Sequence, residues 1–110
     1  MGLGIYDNTG LGVSEFAVPT DSPKIVCSVP LSYLAAQGQM DFLKRGAPGG
    51  EIYIGLAGKK PSALQYDIVL NDTAQPFFDV DGLVLGDVWV FANQAGLNIS
   101  IFIGICSKGT

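Results

Sequence analysis

The most regular pattern in the chain lies near its end. Leu97, Ile99, Ile101, Ile103 and Ile105 alternate with Asn98, Ser100, Phe102, Gly104 and Cys106, the period of two that turns successive side chains to opposite faces of a strand. Just before it, Asp87 to Ala92 places Val88, Val90 and Ala92 on one side and Trp89 and Phe91 on the other. A strand apolar on both faces is expected to be central and covered twice. Between the two, Asn93-Gln94-Ala95-Gly96 reads as a turn. Val88 to Ser107 is 20 residues without a charge, long enough to cross a bilayer as a helix. Asn93, Gln94, Asn98 and Ser100 fall in its middle and Gly96 breaks it, so two strands joined by a turn describe it better.

The same reading runs through the rest of the chain. Val13 to Val18 forms a short strand, Thr20-Asp21-Ser22-Pro23 a turn, and Lys24 to Val29 a strand with Ile25, Cys27 and Val29 on one face. Pro30 to Met40 is expected to be a loop with one helical turn around Leu31, Leu34 and Ala35. Met40 to Arg45 is expected to pair with Glu51 to Leu56 as a hairpin across Gly46-Ala47-Pro48-Gly49-Gly50. After a turn at Gly58 to Ser62, Leu64, Tyr66, Ile68 and Leu70 make one apolar strand face. Asn71 to Gln75 is a polar loop, and Phe77 to Val80 a strand that ends at Asp81-Gly82, with a second turn signal at Gly86-Asp87. These elements make an all-β chain of seven to eight short strands, an antiparallel β-sandwich or a jelly-roll-like small barrel. It forms one domain over residues 1–110, with residues 1–11 as an extended N-terminal arm.

Composition adds an expectation about surfaces. Hydrophobic residues are 48% of the chain and charged residues 15%, against about 25% charged in ordinary soluble domains. A domain of 110 residues with so few charges is expected to leave apolar side chains exposed on the isolated protomer, the mark of an interface. The net charge of −4 argues against nucleic acid, which is held by clustered cations. Lys44-Arg45 and Lys59-Lys60 lie near turns and read as solvated. Met1 to Asp7 has no basic segment followed by an apolar one, and Tyr6 stands where a myristoylation pattern needs Ser or Thr.

The chain contains no histidine, which removes the commonest general base and the commonest zinc ligand. Cys27 and Cys106 are two buried free thiols, the preferred reading, or one bridge joining the first and last strands. Asp79-Val80-Asp81-Gly82 resembles a fragment of a calcium loop, but the twelfth position is Val90 instead of Glu. Asp67 and Asp72 read as solvated edge charges rather than an acid and base pair. Asn71-Asp72-Thr73 and Asn98-Ile99-Ser100 match a glycosylation sequon, which matters only on a secretory route. No glycine pattern suits a nucleotide. No catalytic, metal-binding or cofactor-binding residue is assigned, and the chain reads as a non-enzyme. Tyr53, Trp89, Phe91 and Phe102 are the interface candidates. Core packing or a subunit contact is the preferred reading of these rings, and a strip that stacks on sugars or bases the lesser one.

One resemblance bears on function. Phe42-Leu43-Lys44-Arg45, a Gly/Pro loop, Glu51-Ile52-Tyr53-Ile54-Gly55, then Gly86-Asp87-Val88-Trp89-Val90-Phe91-Ala92 and Asn98 to Gly104 together resemble small β-sandwich virion proteins of tailed bacteriophages. The resemblance implies a capsid decoration or cement protein located on the virion, a homo-oligomer, most often a trimer, with the major capsid protein as partner and neither nucleic acid nor membrane. The alternative it leaves open is a carbohydrate-binding or receptor-binding module of a phage fibre or tail.

Overall fold

The computed structural model describes residues 5–7, 13–29 and 37–106. Among them lie nine strands: β1 (Ile5–Asp7), β2 (Val13–Ala17), β3 (Lys24–Val29), β4 (Gln37–Gly46), β5 (Glu51–Gly55), β6 (Ile68–Asn71), β7 (Phe77–Asp81), β8 (Gly86–Ala92) and β9 (Leu97–Cys106). Their pairing is nested. β5 pairs with β6, β4 with β7, β3 with β8 and β2 with β9, all antiparallel, as in one long hairpin whose tip is the β5–β6 connection. The hairpin is rolled, so that β4 also lies against β9 and β5 against β8. One sheet therefore runs β2-β9-β4-β7 and the other β3-β8-β5-β6. This is a jelly roll, the second of the two architectures the alternation predicts. Strand β1 adds a short parallel pairing to β9, Ile5 to Asp7 against Ile103 to Ile105, within the segment expected to be an arm. The expected loop and helical turn after Pro30 fall largely on residues 30–36, which lie outside the described residues.

Period-two alternation supplies the core. β9 turns Leu97, Ile99, Ile101 and Ile103 inward, β4 turns Met40 and Phe42, and β8 turns Val88, Val90 and Ala92. Ile52 and Ile54 of β5 and Ile68 and Leu70 of β6 lie beside the β8 residues in the second sheet and meet those of β4 and β9 across the core, all buried in one cluster. β-branched residues suit this pleated, half-buried setting. Cys27 is a buried free thiol in the same cluster, its pKa pushed up to about 12 by burial and then by the nearby Asp87 carboxylate. The side chain of Cys106 lies outside the described residues.

Four expectations are corrected. Met40 to Arg45 and Glu51 to Leu56 do not form a hairpin, because β4 and β5 belong to different sheets. Alternation shows that each strand has an apolar face, but two such faces can lie side by side or oppose one another across a core, and here they oppose. Gly46, at φ 90°, makes the crossing possible, since a Cβ there would collide with the Gly96 carbonyl oxygen. Second, Leu64 and Tyr66 are not in a strand: β6 begins at Ile68, and Ser62 closes a tight turn by accepting the Leu64 and Gln65 N–H groups at 3.2 and 3.1 Å. Third, a bulge between Ile25 and Cys27 puts the latter opposite Val88 and the former opposite Trp89. The extra residue reverses the face, leaving Cys27 in the core and Ile25 outside. Fourth, Lys44 is not a solvated turn residue.

Lys44 follows Met40 and Phe42 on the inward face of β4, and its side chain is 2% exposed. Its ammonium donates to Asp72 Oδ1 at 2.9 Å and to the Ala47 carbonyl at 3.2 Å. Asp72 also accepts the Gly49 N–H at 2.7 Å, so the buried cation is paired as burial requires. The ion pair ties the β4–β5 crossing to the β6–β7 crossing. Further bonds knit the remaining sheet crossings at this end: Glu51 N–H to Asn93 Oδ1 at 2.8 Å, Gln94 Nε2 to the Pro48 carbonyl at 2.9 Å, and Ala92 N–H to the Pro19 carbonyl at 2.9 Å.

This packing predicts a sharp contrast between two large apolar residues. Phe42→Ala in the core costs about 3–5 kcal/mol, and Leu64→Ser on the exposed turn changes the stability of the isolated protomer by less than about 0.5 kcal/mol. Urea unfolding followed by circular dichroism measures both.

Candidate interaction surfaces

Three of the four aromatic candidates come together on the outer face of the β3-β8-β5-β6 sheet. Tyr53 of β5 stands opposite Phe91 of β8, and Trp89 stands opposite Gly55. The Tyr53 and Phe91 rings stack at 6.2 Å and 28°. Strand β8 is central, as expected, but Trp89 and Phe91 are only half-buried, and among the described residues no further sheet covers them. Phe102 lies elsewhere, on the outer face of the other sheet, opposite Asp41 of β4 and Val13 of β2.

The residue the pattern concealed is Tyr66. Its spacing with Ile68 and Leu70 assigned it to an inward face, whereas it leaves the loop and packs on Tyr53 with ring centroids 5.4 Å apart. Tyr53 is consequently 3% exposed and Tyr66 45%. The Tyr53 hydroxyl donates to Glu51 Oε1 at 2.8 Å and accepts from Asn93 Nδ2 at 3.3 Å. Burial, followed by the Glu51 carboxylate, pushes this phenol up to about 12. The turn read at Gly58 to Ser62 is followed by a second tight turn from Ser62 to Gln65, which delays the strand to Ile68.

The long β5–β6 connection, residues 56–67, folds back over this face. Ala57 and Gly58 turn it at positive φ, 56° and 81°, and the Gly58 N–H reaches the Asp87 carbonyl at 2.9 Å. Gly55 beneath has no room for a side chain, because a Cβ would collide with the Lys59 carbonyl oxygen. Asp67 fixes the base of the loop, accepting the Leu56 N–H at 2.7 Å and the Lys59 ammonium at 2.9 Å. Burial alone would raise its carboxyl, but these two donors outweigh burial and hold it below the usual range. Lys60 lies over the Trp89 ring, its ammonium 5.1 Å from the centroid. Between Gly55 and Pro61 on one side and Gln65, Tyr66 and Asp67 on the other opens a cleft of about 350 Å³, with Lys59 and Lys60 at its rim. Beneath Lys60, the indole Nε1 of Trp89 is buried with no hydrogen-bond partner.

The opposite outer face is acidic. Asp41 of β4 and Asp79 of β7 are directly opposite one another, and burial, followed by the hydrogen bond that the protonated Asp41 carboxyl donates to Asp79, raises the Asp41 carboxyl. Leu43 and the 49%-exposed Phe77 form the neighbouring pair. Asp67 and Asp72, separated by β6, each pair with a different lysine and so make no joint site. Asn71 spends its side chain oxygen on the Ala74 and Gln75 N–H groups, and Asn98 donates to Glu15 at 2.9 Å. Among the described residues no three His, Cys, Asp or Glu side chains cluster as a metal would require, and no helix is long and apolar enough to cross a membrane.

No protein family matches the chain, and comparison with characterised proteins and with solved structures returns no match.

The two carboxylate arrangements predict opposite pH responses. Asp72 is held low, first by the hydrogen bond from Lys44, so its stabilisation is present at neutral pH and fades as pH falls below about 4. Asp41 is held high, so its favourable protonated form is lost as pH rises, leaving two like charges opposed at neutrality. Asp72→Asn therefore lowers the melting midpoint at pH 7 and Asp79→Asn raises it. The Asp72→Asn difference shrinks as pH falls below about 4, and the Asp79→Asn difference shrinks as Asp41 takes up its proton, which it does above the usual carboxylate range. Thermal melts at a series of pH values check the signs.

Proposed function

We propose that the chain is a structural protein of a bacteriophage virion, a jelly-roll unit that associates as a homotrimer on the capsid surface and stabilises the shell against the major capsid protein. The observation that carries this reading is the placement of bulky apolar side chains outside a complete core: Leu64 is 96% exposed, Phe77 49% and Ile25 44%. The Ser62 turn holds the backbone of Leu64 in place. A leucine side chain offered to water forgoes the free energy that burial against a partner would supply. Ile25 and Phe77 lie on opposite outer faces of the sandwich, Ile25 opposite Trp89 and Phe77 opposite Leu43, so a protomer has contacts to offer in more than one direction. That arrangement suits a unit touching both its own copies and a shell.

The fold is compatible with the reading without deciding it. Jelly rolls serve as capsid domains and as lectins, and function resides in the surfaces grafted onto them. The resemblance of the β4, β5, β8 and β9 segments to small phage virion proteins points the same way. A second reading, a sugar-binding or receptor-binding module of a fibre or tail, is favoured by the cleft lined by Tyr66 and Lys60.

Light scattering coupled to size exclusion tests the assembly. The expected mass is that of three 11.5 kDa protomers, and Leu64→Asp or Phe77→Asp shifts it toward one. A monomer at every concentration, together with no co-sedimentation with capsids, overturns the proposal.

A further inference from the structure

We propose that the cleft under the 56–67 loop binds an acidic saccharide, a pyranose ring carrying a carboxylate, with Tyr66 as the stacking platform and Lys60 as the counter-ion. This inference deepens the sugar-binding reading and is independent of how the protomers assemble.

The platform is built in advance. Tyr66 exposes 45% of its surface, and its ring is backed by Tyr53, which is itself stacked on Phe91. A ring already held in place loses little freedom when a sugar face settles on it. Gln65 and Asp67 on the same wall offer the amide and carboxylate groups that hydroxyls need for orientation. The volume of about 350 Å³ suits one or two sugar rings, at the small end of ligand sites.

The charge selects the class of sugar. Lys59 is neutralised by Asp67 at 2.9 Å. Lys60 forms no salt bridge among the described residues, and its ammonium rests on the face of Trp89. An uncompensated cation at the rim of a cleft, in a chain of net charge −4, is a place for one negative group. A single lysine supplies a point charge suited to a carboxylate, whereas phosphate groups are typically held by several donors converging from a backbone nest or from arginine forks. Beneath Lys60, the indole N–H of Trp89 is buried without an acceptor.

Trp89 is the single tryptophan of the chain and lies under Lys60, which lines the cleft, so its emission responds to a ligand that engages Lys60. Titration of the full chain with trigalacturonate and with 3′-sialyllactose should shift Trp89 emission saturably for at least one of them, with affinity falling as salt is added. By calorimetry, Lys60→Ala should weaken that binding about tenfold or more, and Tyr66→Ala should do so comparably. Arg45→Ala, exposed on β4 of the other sheet, should leave it unchanged. Both test side chains are exposed, and an unaltered melting midpoint confirms that the variants fold. No response to either acidic sugar, an equal response to acetate, or undiminished binding by Lys60→Ala overturns the proposal. A response to neutral maltotriose alone also overturns it, and leaves the broader sugar-binding reading standing.

Discussion

Everything in this molecule depends on the seam between β4 and β9. They pair in register from Gln37 opposite Cys106 to Gly46 opposite Leu97, uniting parts of the chain that are far apart in sequence. Without that seam, the nested strand pairs would form a long open ladder with a greasy side facing water. With it, and with the matching β5–β8 pairing, the ladder rolls until Phe42, Ile99 and Ile101 face Ile52, Ile54 and Val90. The burial of those faces then supplies the main favourable term in folding. Contacts so distant in sequence close slowly, because the chain between them must first be ordered.

Rolling also gives the two ends of the sandwich different characters. At one end the sheet crossings are stitched together by Lys44, Asp72, Asn93 and Gln94, leaving little freedom there. At the other, the 56–67 loop turns back over the outer sheet face and is held by Asp67, Gly58 and Ser62. That loop creates the projecting Leu64, the half-exposed Tyr66 and the cleft with its lysines. The rigid end sets the shape, and the looped end carries the chemistry that a partner or ligand can recognise.

Much of the fold was legible as alternation. The inward faces of β5, β8 and β9 are those their period-two patterns specify, and the turns at Thr20 to Pro23, Asn71 to Gln75 and Asn93 to Gly96 fall where Pro, Gly, Asn and Asp placed them. What alternation cannot express is which sheet a strand joins. Met40 and Phe42 look the same whether their neighbour sits beside them or across the core, and so the hairpin expected at Gly46 to Gly50 became a crossing. A single bulged residue at Val26 is equally invisible to a periodic pattern, yet it moved Ile25 to the surface. The candidate site was legible in part: Tyr53, Trp89 and Phe91 share one face because β5 and β8 are neighbours, whereas Phe102 follows β9 into the other sheet. Tyr66 and Lys60 were hidden because their positions depend on a loop conformation set by Ser62, Gly58 and Asp67 rather than by hydrophobic spacing.

Cross-strand nuclear Overhauser contacts in isotope-labelled protein test the rolled seam most directly. The account predicts contacts between the backbones of Phe42 and Ile101 and of Met40 and Ile103, with none linking β4 to β5 as paired strands. A regular ladder between Met40 to Arg45 and Glu51 to Leu56, with no contact from β4 to β9, would contradict it.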